Sequence, residues 1–127
     1  MESLLRLRIS NSDISYGGNL VDGAKILKLY GDAATEILIK HDGDEGLFVA
    51  YENVEFLNPV YGGDYIEIQA KLISVGKTSR KISFSATIVA RQNPNRSDSA
   101  ADFLSEPILA SRALGTCVVP ENKKRIG

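Results

Sequence analysis

The chain has 127 residues, of which 43% are hydrophobic, and its formal net charge is −1 at pH 7. This length and composition predict one soluble globular domain over residues 1–127. The nearly balanced charge does not indicate a nucleic-acid partner. No apolar run approaches the ~20 residues that a membrane-spanning helix needs. The first residues lack the layout of a signal peptide, so a cytoplasmic protein with no membrane partner is expected.

Cysteine and histidine are too few for a disulfide framework or a metal site. The chain has one cysteine, Cys117, so no disulfide can form within it. With one histidine, His41, it has no zinc-binding spacing either, and we expect no metal. His41 follows a predicted helix, where it is expected to interact with the negative end of the helix dipole rather than act as a catalytic base.

In chain order, the first predicted element is an alternating strand over residues 4–9. A glycine-rich turn then leads into a helix that runs to about Lys40. Apolar residues recur at the spacing of one helical face, and a second apolar set lies on the far side, so we expect the helix to be wrapped on several sides. The main face comprises Ile26, Leu29, Tyr30, Ala33 and Ile37.

Strands dominate the rest of the chain. They are predicted at residues 47–57, 65–75, 79–91 and 108–119, with turns at 58–64 and 76–78. Between the last two strands we expect a long polar loop, 92–107, with room for a helical turn at 99–104. The basic tail, 121–127, is expected to fray. One long helix against a curved antiparallel sheet of about five strands is an α+β fold.

The start of the helix is the first candidate site. Residues 16–25, with the sequence YGGNLVDGAK, place a glycine-rich turn and an acid, Asp22, at the helix N-terminus. The first N–H groups of a helix lack intrahelical acceptors and lie at the positive end of its dipole. Those of Gly23 and Ala24 could therefore stabilise a carbonyl oxygen that gains negative charge. Asp22 could equally be an ordinary N-cap.

Two later motifs indicate a family. FLNPVYGGD over residues 56–64 and VGKTSR over residues 75–80 resemble, at this spacing, the turn motifs of hotdog-fold acyl-CoA thioesterases and dehydratases. The likeness covers residues 10–119, which is most of the chain. It implies the hotdog fold, in which an antiparallel sheet wraps a long central helix, and an acyl-CoA substrate.

Finer details resemble one branch of that family, the 3-aminobutyryl-CoA ammonia-lyases of lysine fermentation. The resemblance lies in residues 16–25, residues 43–52 (GDEGLFVAYE) and residues 115–120 (GTCVVP). It implies a reversible carbon–nitrogen lyase reaction in which L-3-aminobutyryl-CoA gives crotonyl-CoA and ammonia. It also implies that no cofactor is needed besides the coenzyme A of the substrate.

A departure from the hydrolytic members of the family supports this branch. Hotdog thioesterases often carry an acid about two turns into the helix, where an ungapped alignment places Gly31, with Asp32 beside it. One residue of helix rotates a side chain by about 100°, so Asp32 is not obviously the same acid. This departure argues against thioester hydrolysis.

Ammonia elimination needs a base for the proton next to the thioester carbonyl, donors for the enolate oxygen and a group that holds the amine. Asp22, Asp32 and Glu36 are the catalytic candidates. Asp32 lies four residues after Lys28, in position for an ordinary ion pair. Glu36 lies about 21 Å beyond Asp22 along the helix, so the two cannot share one substrate within a subunit.

Other residues are candidates for contact with the acyl group. Tyr16 could donate a hydrogen bond to the substrate, or it could simply pack. Glu52 and Glu55 lie on opposite faces of their strand by parity. One of them is therefore expected to face the helix, and either could reach the pocket of a neighbouring subunit. The predicted substrate-binding residues are Tyr16, Asn19, Gly23, Ala24 and Glu55.

The turn after the second long strand is the candidate binding site for coenzyme A. Its three cations, two hydroxyls and glycine suit phosphates and a pantetheine chain, although it could also be a solvated basic hairpin. Asn95 and Arg96 could add contacts from the long loop. The predicted coenzyme A-binding residues are Gly76, Lys77, Thr78, Ser79, Arg80 and Lys81.

A single hotdog unit leaves a sheet edge and part of its helix uncovered, and such surfaces are normally buried by pairing. We therefore expect a homodimer, or a tetramer or hexamer, with the ligand at a subunit interface. Two other functions stay open. One is an acyl-CoA thioesterase on the same fold, and the other is a non-catalytic module that binds acyl-CoA.

Overall fold

The computed structural model describes residues 1–126, in which one long helix, α1 (Gly23–Asp42), packs against an antiparallel sheet. Short 3₁₀ turns lie before the helix and after the last strand. The strands are β1 (Glu2–Arg8), β2 (Ile14–Tyr16), β3 (Leu20–Val21), β4 (Leu47–Phe56), β5 (Val60–Tyr61), β6 (Tyr65–Val75), β7 (Ser79–Gln92) and β8 (Ala101–Val118).

The strands form two sheets. The main sheet has five strands in the order β1-β6-β7-β8-β4, and the small one has three, in the order β2-β3-β5. All recorded pairings are antiparallel. The predicted α+β hotdog fold is confirmed. The small sheet was not predicted, because its strands are only two or three residues long.

The core lies between α1 and the inner face of the main sheet. Alternate residues of β7 point inward and are buried, which is the pattern expected when one face of an antiparallel sheet is covered. At the centre, the ring of Tyr30 stacks on that of Phe84 with centroids 4.9 Å apart. The inward residues of β7 are Ile82, Phe84, Ala86 and Ile88.

Both ends of α1 have well-formed caps. The carboxylate of Asp22 accepts a hydrogen bond from the Lys25 backbone N–H at 3.2 Å. At the other end, Gly43 adopts a left-handed conformation with φ of 71°, and its N–H donates to the Ile39 carbonyl. These caps satisfy backbone groups that the helix itself cannot pair. The helix start lies against Phe56 at the end of β4, and the candidate site is there.

The predicted loop 92–107 is wrong in most of its length. β7 ends at Gln92 and β8 already begins at Ala101, where the two pair, so the connection spans only residues 93–100. The helical turn expected at 99–104 does not form, because pairing with β7 overrides the local preference. The ladder is irregular between Phe103 and Ile108, and this irregularity accommodates Pro107, which has no N–H to donate.

The tail was expected to fray, and its described part is instead attached to the end of α1. The backbone N–H groups of Arg125 and Ile126 both donate to the carbonyl of Asp42, at 2.8 and 3.2 Å. The Arg125 side chain donates to the Gly43 carbonyl at 2.9 Å. Residue 127 lies outside the described residues.

A buried ion pair holds the turn between β5 and β6. Asp64 is 1% exposed and accepts the Tyr61 backbone N–H at 2.8 Å. It also accepts two hydrogen bonds from Arg91 on β7, at 3.0 and 2.8 Å. This carboxylate therefore joins the turn to the sheet, which gives a physical reason for the aspartate that ends the FLNPVYGGD motif.

We predict that Asp64→Asn lowers the free energy of unfolding by about 3 kcal/mol, because the amide removes the charge that pairs with Arg91 and replaces one of the two acceptor oxygens with a donor. Glu67→Gln is the matched control, since Glu67 also pairs with an arginine, Arg6, but at an exposed site. It should cost less than about 1 kcal/mol. Urea denaturation of both variants measures the difference, and equal losses would contradict this assignment.

Candidate active site

A pocket of about 350 Å³ opens at the start of α1. One wall is the helix N-terminus, a second is the end of β4 with the turn that follows it, and the floor is the middle of β8. Ile26 and Val60 give it an apolar lining close to the polar helix end. Its lining residues are Tyr16, Leu20, Val21, Asp22, Gly23, Ile26, Phe56, Leu57, Asn58, Pro59, Val60, Ala110 and Ser111.

Asp22 is both a helix cap and a pocket residue. Its Oδ1 accepts from the Lys25 N–H, and its Oδ2 accepts from the Ser15 hydroxyl, each at 3.2 Å. Because each oxygen of a carboxylate has a second lone pair, the group can still accept a proton or an ammonium hydrogen from a ligand. The cap and catalytic interpretations are therefore compatible.

The helix start also offers hydrogen-bond donors. The first four N–H groups of an α-helix have no intrahelical acceptor, and Asp22 takes that of Lys25. The N–H groups of Gly23 and Ala24 are left at the positive end of the helix dipole. Such donors suit an oxygen that becomes negative during a reaction.

Close packing explains why glycine stands at position 23. A Cβ atom added there would lie 2.5 Å from Cζ of Phe56, the last residue of β4. The Phe56 ring thus covers the first turn of α1 while 56% of the residue stays exposed. The glycine allows this contact between the helix start and the end of β4.

The other predicted residues of the helix mouth, Tyr16, Asn19 and Ala24, lie in three different places. Tyr16 lines the pocket and is largely exposed. Asn19 has a positive φ of 63°, and its carbonyl accepts the Gly62 N–H at 3.0 Å, so its backbone closes the small sheet. The side chain of Ala24 faces a different cleft, described next.

A wide groove of about 670 Å³ lies along the uncovered flank of α1, beside β4. Asp32 lines it and pairs with Lys28 at 2.8 Å, the ion pair expected from their spacing. The helix was expected to be wrapped on several sides, and within residues 1–126 this flank is open. The groove is lined by Ala24, Leu27, Lys28, Gly31, Asp32, Thr35, Phe48, Val49, Ala50 and Tyr51.

Glu36 lies apart from both cavities. It accepts hydrogen bonds from the Ser3 hydroxyl at 2.9 Å and from Lys40 at 3.1 Å. These two donors hold the pKa of Glu36 below its ordinary value. A carboxylate stabilised in its charged form is a weaker base, so its contacts do not favour Glu36 as the proton acceptor.

The expectation that Glu52 and Glu55 lie on opposite faces of β4 is wrong. Their cross-strand partners are Leu114 and Arg112, two residues apart on β8, so both glutamates lie on the same face. A bulge between them, with Asn53 at φ of 52°, adds a residue and shifts the alternation. The face is the outer one, where Glu55 pairs with Arg112.

The predicted coenzyme A-binding hairpin lies beside the C-terminal end of α1. Arg80 was expected at its surface, and instead its side chain is fully buried, as is that of its partner, Asp42. Nε and Nη2 of Arg80 each donate to Asp42 at 2.8 Å. Lys81 pairs with Glu52 at 3.1 Å, and Lys77 is exposed. Arg80 therefore supports the hairpin, and the surface cations are Lys77 and Lys81.

Asn95 and Arg96 lie in the short connection between β7 and β8 and are exposed. The Arg96 N–H donates to the carbonyl of Asn93 at 3.0 Å, so this connection folds on itself.

Residues of β8 complete the pocket, and sequence reasoning missed them. Ser111 is 1% exposed and lines the pocket floor, in a strand that looked like an ordinary core strand. Its hydroxyl and that of Tyr30 are both buried without a hydrogen-bond partner. Burial raises the pKa of Tyr30 to about 12. Alternation alone could not distinguish this serine from its apolar neighbours.

Three further observations concern metal ligands, the cysteine thiol and membrane-spanning helices. Within residues 1–126, no group of three or more His, Cys, Asp and Glu side chains could hold a metal ion. Burial raises the pKa of the Cys117 thiol to about 11, so its reactive thiolate is disfavoured. In the same residues, no helix is long and apolar enough to span a membrane.

Residues 18–92 match the model of a known family, described as the thioesterase superfamily. The chain belongs to the thioesterase superfamily. Within it, the chain is 54% identical over 125 residues to a 3-aminobutyryl-CoA ammonia lyase of Acetoanaerobium sticklandii. That alignment covers 98% of this chain and 99% of the relative.

Two solved structures are similar to the chain along most of its length. The β-alanyl-CoA:ammonia lyase of Clostridium propionicum is 35% identical, with a TM-score of 0.94 over 98% of this chain and 89% of that one. A hexameric hotdog-fold thioesterase of Campylobacter jejuni is 23% identical, with a TM-score of 0.76 over 95% and 85% of the two chains. The second likeness shows the fold alone.

We predict that Gly23→Ala lowers kcat/KM by about 100-fold, because the new methyl group displaces the Phe56 ring and the helix start that together shape the pocket. Gly17→Ala is the control, since a Cβ there would meet no atom within 4 Å. Steady-state kinetics with an acyl-CoA substrate measures the activity of both variants. Full activity of Gly23→Ala would show that the contact with Phe56 does not shape the pocket.

Proposed function

We propose that this protein is a 3-aminobutyryl-CoA ammonia-lyase, which reversibly eliminates ammonia from L-3-aminobutyryl-CoA to give crotonyl-CoA. The observation that carries the proposal is the 54% identity to such an enzyme along 98% of the chain. The structural likeness to a second CoA ammonia lyase, at a TM-score of 0.94, supports the reaction class. Lysine fermentation is the metabolic setting that the resemblance implies.

The pocket at the start of α1 supplies the chemistry of this elimination. The thioester oxygen accepts hydrogen bonds from the Gly23 and Ala24 N–H groups, which stabilise the enolate that forms when the C2 proton leaves. The Asp22 carboxylate takes that proton, and the protonated amine then leaves C3 as neutral ammonia while the C2–C3 double bond forms. In the reverse direction, ammonia adds to C3 and Asp22 returns the proton to C2. Each step is a proton transfer or a carbon–nitrogen bond change, so no cofactor is required.

The coenzyme A part of the substrate is assigned to the hairpin after β6, through Lys77, Thr78 and Lys81. Within one subunit this hairpin lies beside the end of α1, far from the pocket at its start. A two-fold axis that pairs two copies through their β4 edges makes those strands antiparallel. The hairpin of one copy then lies near the helix start of the other, and the substrate spans the interface.

A homo-oligomer follows from this arrangement. The β4 edge carries exposed apolar residues, Leu47 and Val49, beside the open groove along α1. Uncovered edge strands with apolar side chains are normally buried by pairing. Three solved thioesterases with a similar fold are hexameric. We propose a dimer as the smallest active unit, assembled into a higher oligomer.

The reaction is tested by mixing purified protein with crotonyl-CoA, with and without ammonium, while recording enoyl absorbance and free thiol together. We expect loss of the enoyl signal only with ammonium, and no thiol release. Thiol release regardless of ammonium would instead show an acyl-CoA thioesterase. Binding of crotonyl-CoA without either signal would show a non-catalytic acyl-CoA-binding module.

We predict that Asp22→Asn lowers kcat in this assay by about 10²- to 10⁴-fold, because the amide cannot take the C2 proton. Asparagine caps helices about as well as aspartate, so the melting temperature should change little. Asp32→Asn, which disrupts an exposed ion pair, is the isosteric control and should keep most of the activity. Near-normal turnover by Asp22→Asn would remove Asp22 from the catalytic residues.

A further inference from the structure

A buried ionic cluster joins the C-terminal end of α1 to the hairpin between β6 and β7. Asp42, the last residue of α1, is 0% exposed and receives two hydrogen bonds from Arg80, at 2.8 Å each. His41 Nδ1 lies 2.9 Å from the same carboxylate. The pKa of Asp42 is held below its ordinary value, chiefly by the hydrogen bonds from Arg80. Within one subunit the cluster lies at the opposite end of α1 from the pocket, and neither Asp42 nor Arg80 lines that pocket.

Arg80 also fastens the hairpin backbone. Its Nη1 donates to the carbonyls of Gly76 and Ser79, both at 3.0 Å. The Gly76 N–H donates to the Ser79 carbonyl at 2.8 Å, which closes the turn. One guanidinium therefore connects the helix end to both sides of the turn that presents Lys77 and Thr78.

We propose that Asp42 is a positioning residue for coenzyme A, acting through Arg80. The carboxylate holds the guanidinium in one orientation, and the guanidinium holds the hairpin carbonyls, so that the ammonium groups of Lys77 and Lys81 have fixed positions. This inference rests on the proposed function, in which the hairpin binds coenzyme A. It adds a residue that touches no part of the substrate.

The physical reason lies in the burial of the pair. Arginine keeps its charge in a protein and its five donors form a rigid fork. Without the carboxylate of Asp42, the buried charge has no counter-ion, and the side chain moves toward water to recover solvation. The carbonyls of Gly76 and Ser79 then lose their donor, and the turn samples several shapes. Phosphate binding weakens because part of the binding free energy must then be used to order the turn.

The test compares binding of coenzyme A with turnover. We expect Asp42→Asn to raise the Kd of free coenzyme A, measured by titration calorimetry, by about tenfold. The kcat at saturating crotonyl-CoA and ammonium should stay within about twofold, because the helix start is unchanged. A purely structural role predicts a different result, namely less folded protein with an unchanged Kd for the folded fraction.

Two further variants keep the test decisive if Asp42→Asn does not fold. The double variant Asp42→Leu/Arg80→Met removes both charges, and such apolar replacements of buried pairs are often neutral for stability. It should melt near the wild-type temperature and still show the raised Kd. Ile68→Val is the control, a small core change in β6 away from the hairpin, and should leave the Kd unchanged.

The outcomes separate this inference from the proposed function. An unchanged Kd in the folded double variant, or the same increase in Ile68→Val, overturns the positioning role. An unchanged Kd in both Lys77→Ala and Lys81→Ala shows that the hairpin does not bind coenzyme A, which also overturns it. Failure of the wild-type protein to add ammonia to crotonyl-CoA refutes the lyase, whereas the Kd comparison does not depend on that reaction.

Discussion

The structure depends on burying one long apolar helix against one face of a five-stranded sheet. The contact of α1 with the inner residues of β6 and β7 forms the core. This packing has two consequences. The helix start opens at the edge where β4 ends, so its unpaired N–H groups meet an apolar pocket. One flank of the helix and the outer edge of β4 stay uncovered, which leaves a surface suited to a second copy.

The two ends of α1 have different proposed roles because they present different chemical groups. The N-terminal end offers donors and the Asp22 carboxylate, which suit an enolate and a proton. The C-terminal end is closed by the Asp42–Arg80 pair and by the tail. A helix of 20 residues is about 30 Å long. In the proposed dimer, the acyl group lies at the helix start of one subunit and coenzyme A lies at the hairpin beside the helix end of the other. The proposed reaction therefore needs the proposed oligomer.

Sequence patterns predicted the helix and most strands, because period and turn chemistry are local properties. These patterns failed where pairing with a distant strand determined the local structure. The segment around Phe103 became strand because β7 paired with it, and Glu52 joined Glu55 on one face because of the bulge at Asn53. At the candidate site, the sequence correctly predicted that Asp22 lies at the start of the helix. It wrongly predicted that Arg80 is a surface cation. Its burial depends on Asp42, which is 38 residues away in the chain.

The central claim is that the protein makes and breaks a carbon–nitrogen bond at C3 while a proton moves at C2. Mass spectrometry of the products formed from crotonyl-CoA and ammonium in heavy water tests it most directly. The lyase reaction yields an intact thioester that has gained ammonia, with deuterium retained at C2 after exchangeable positions are returned to hydrogen. Free crotonic acid with coenzyme A thiol, or an aminated thioester without deuterium at C2, would contradict it.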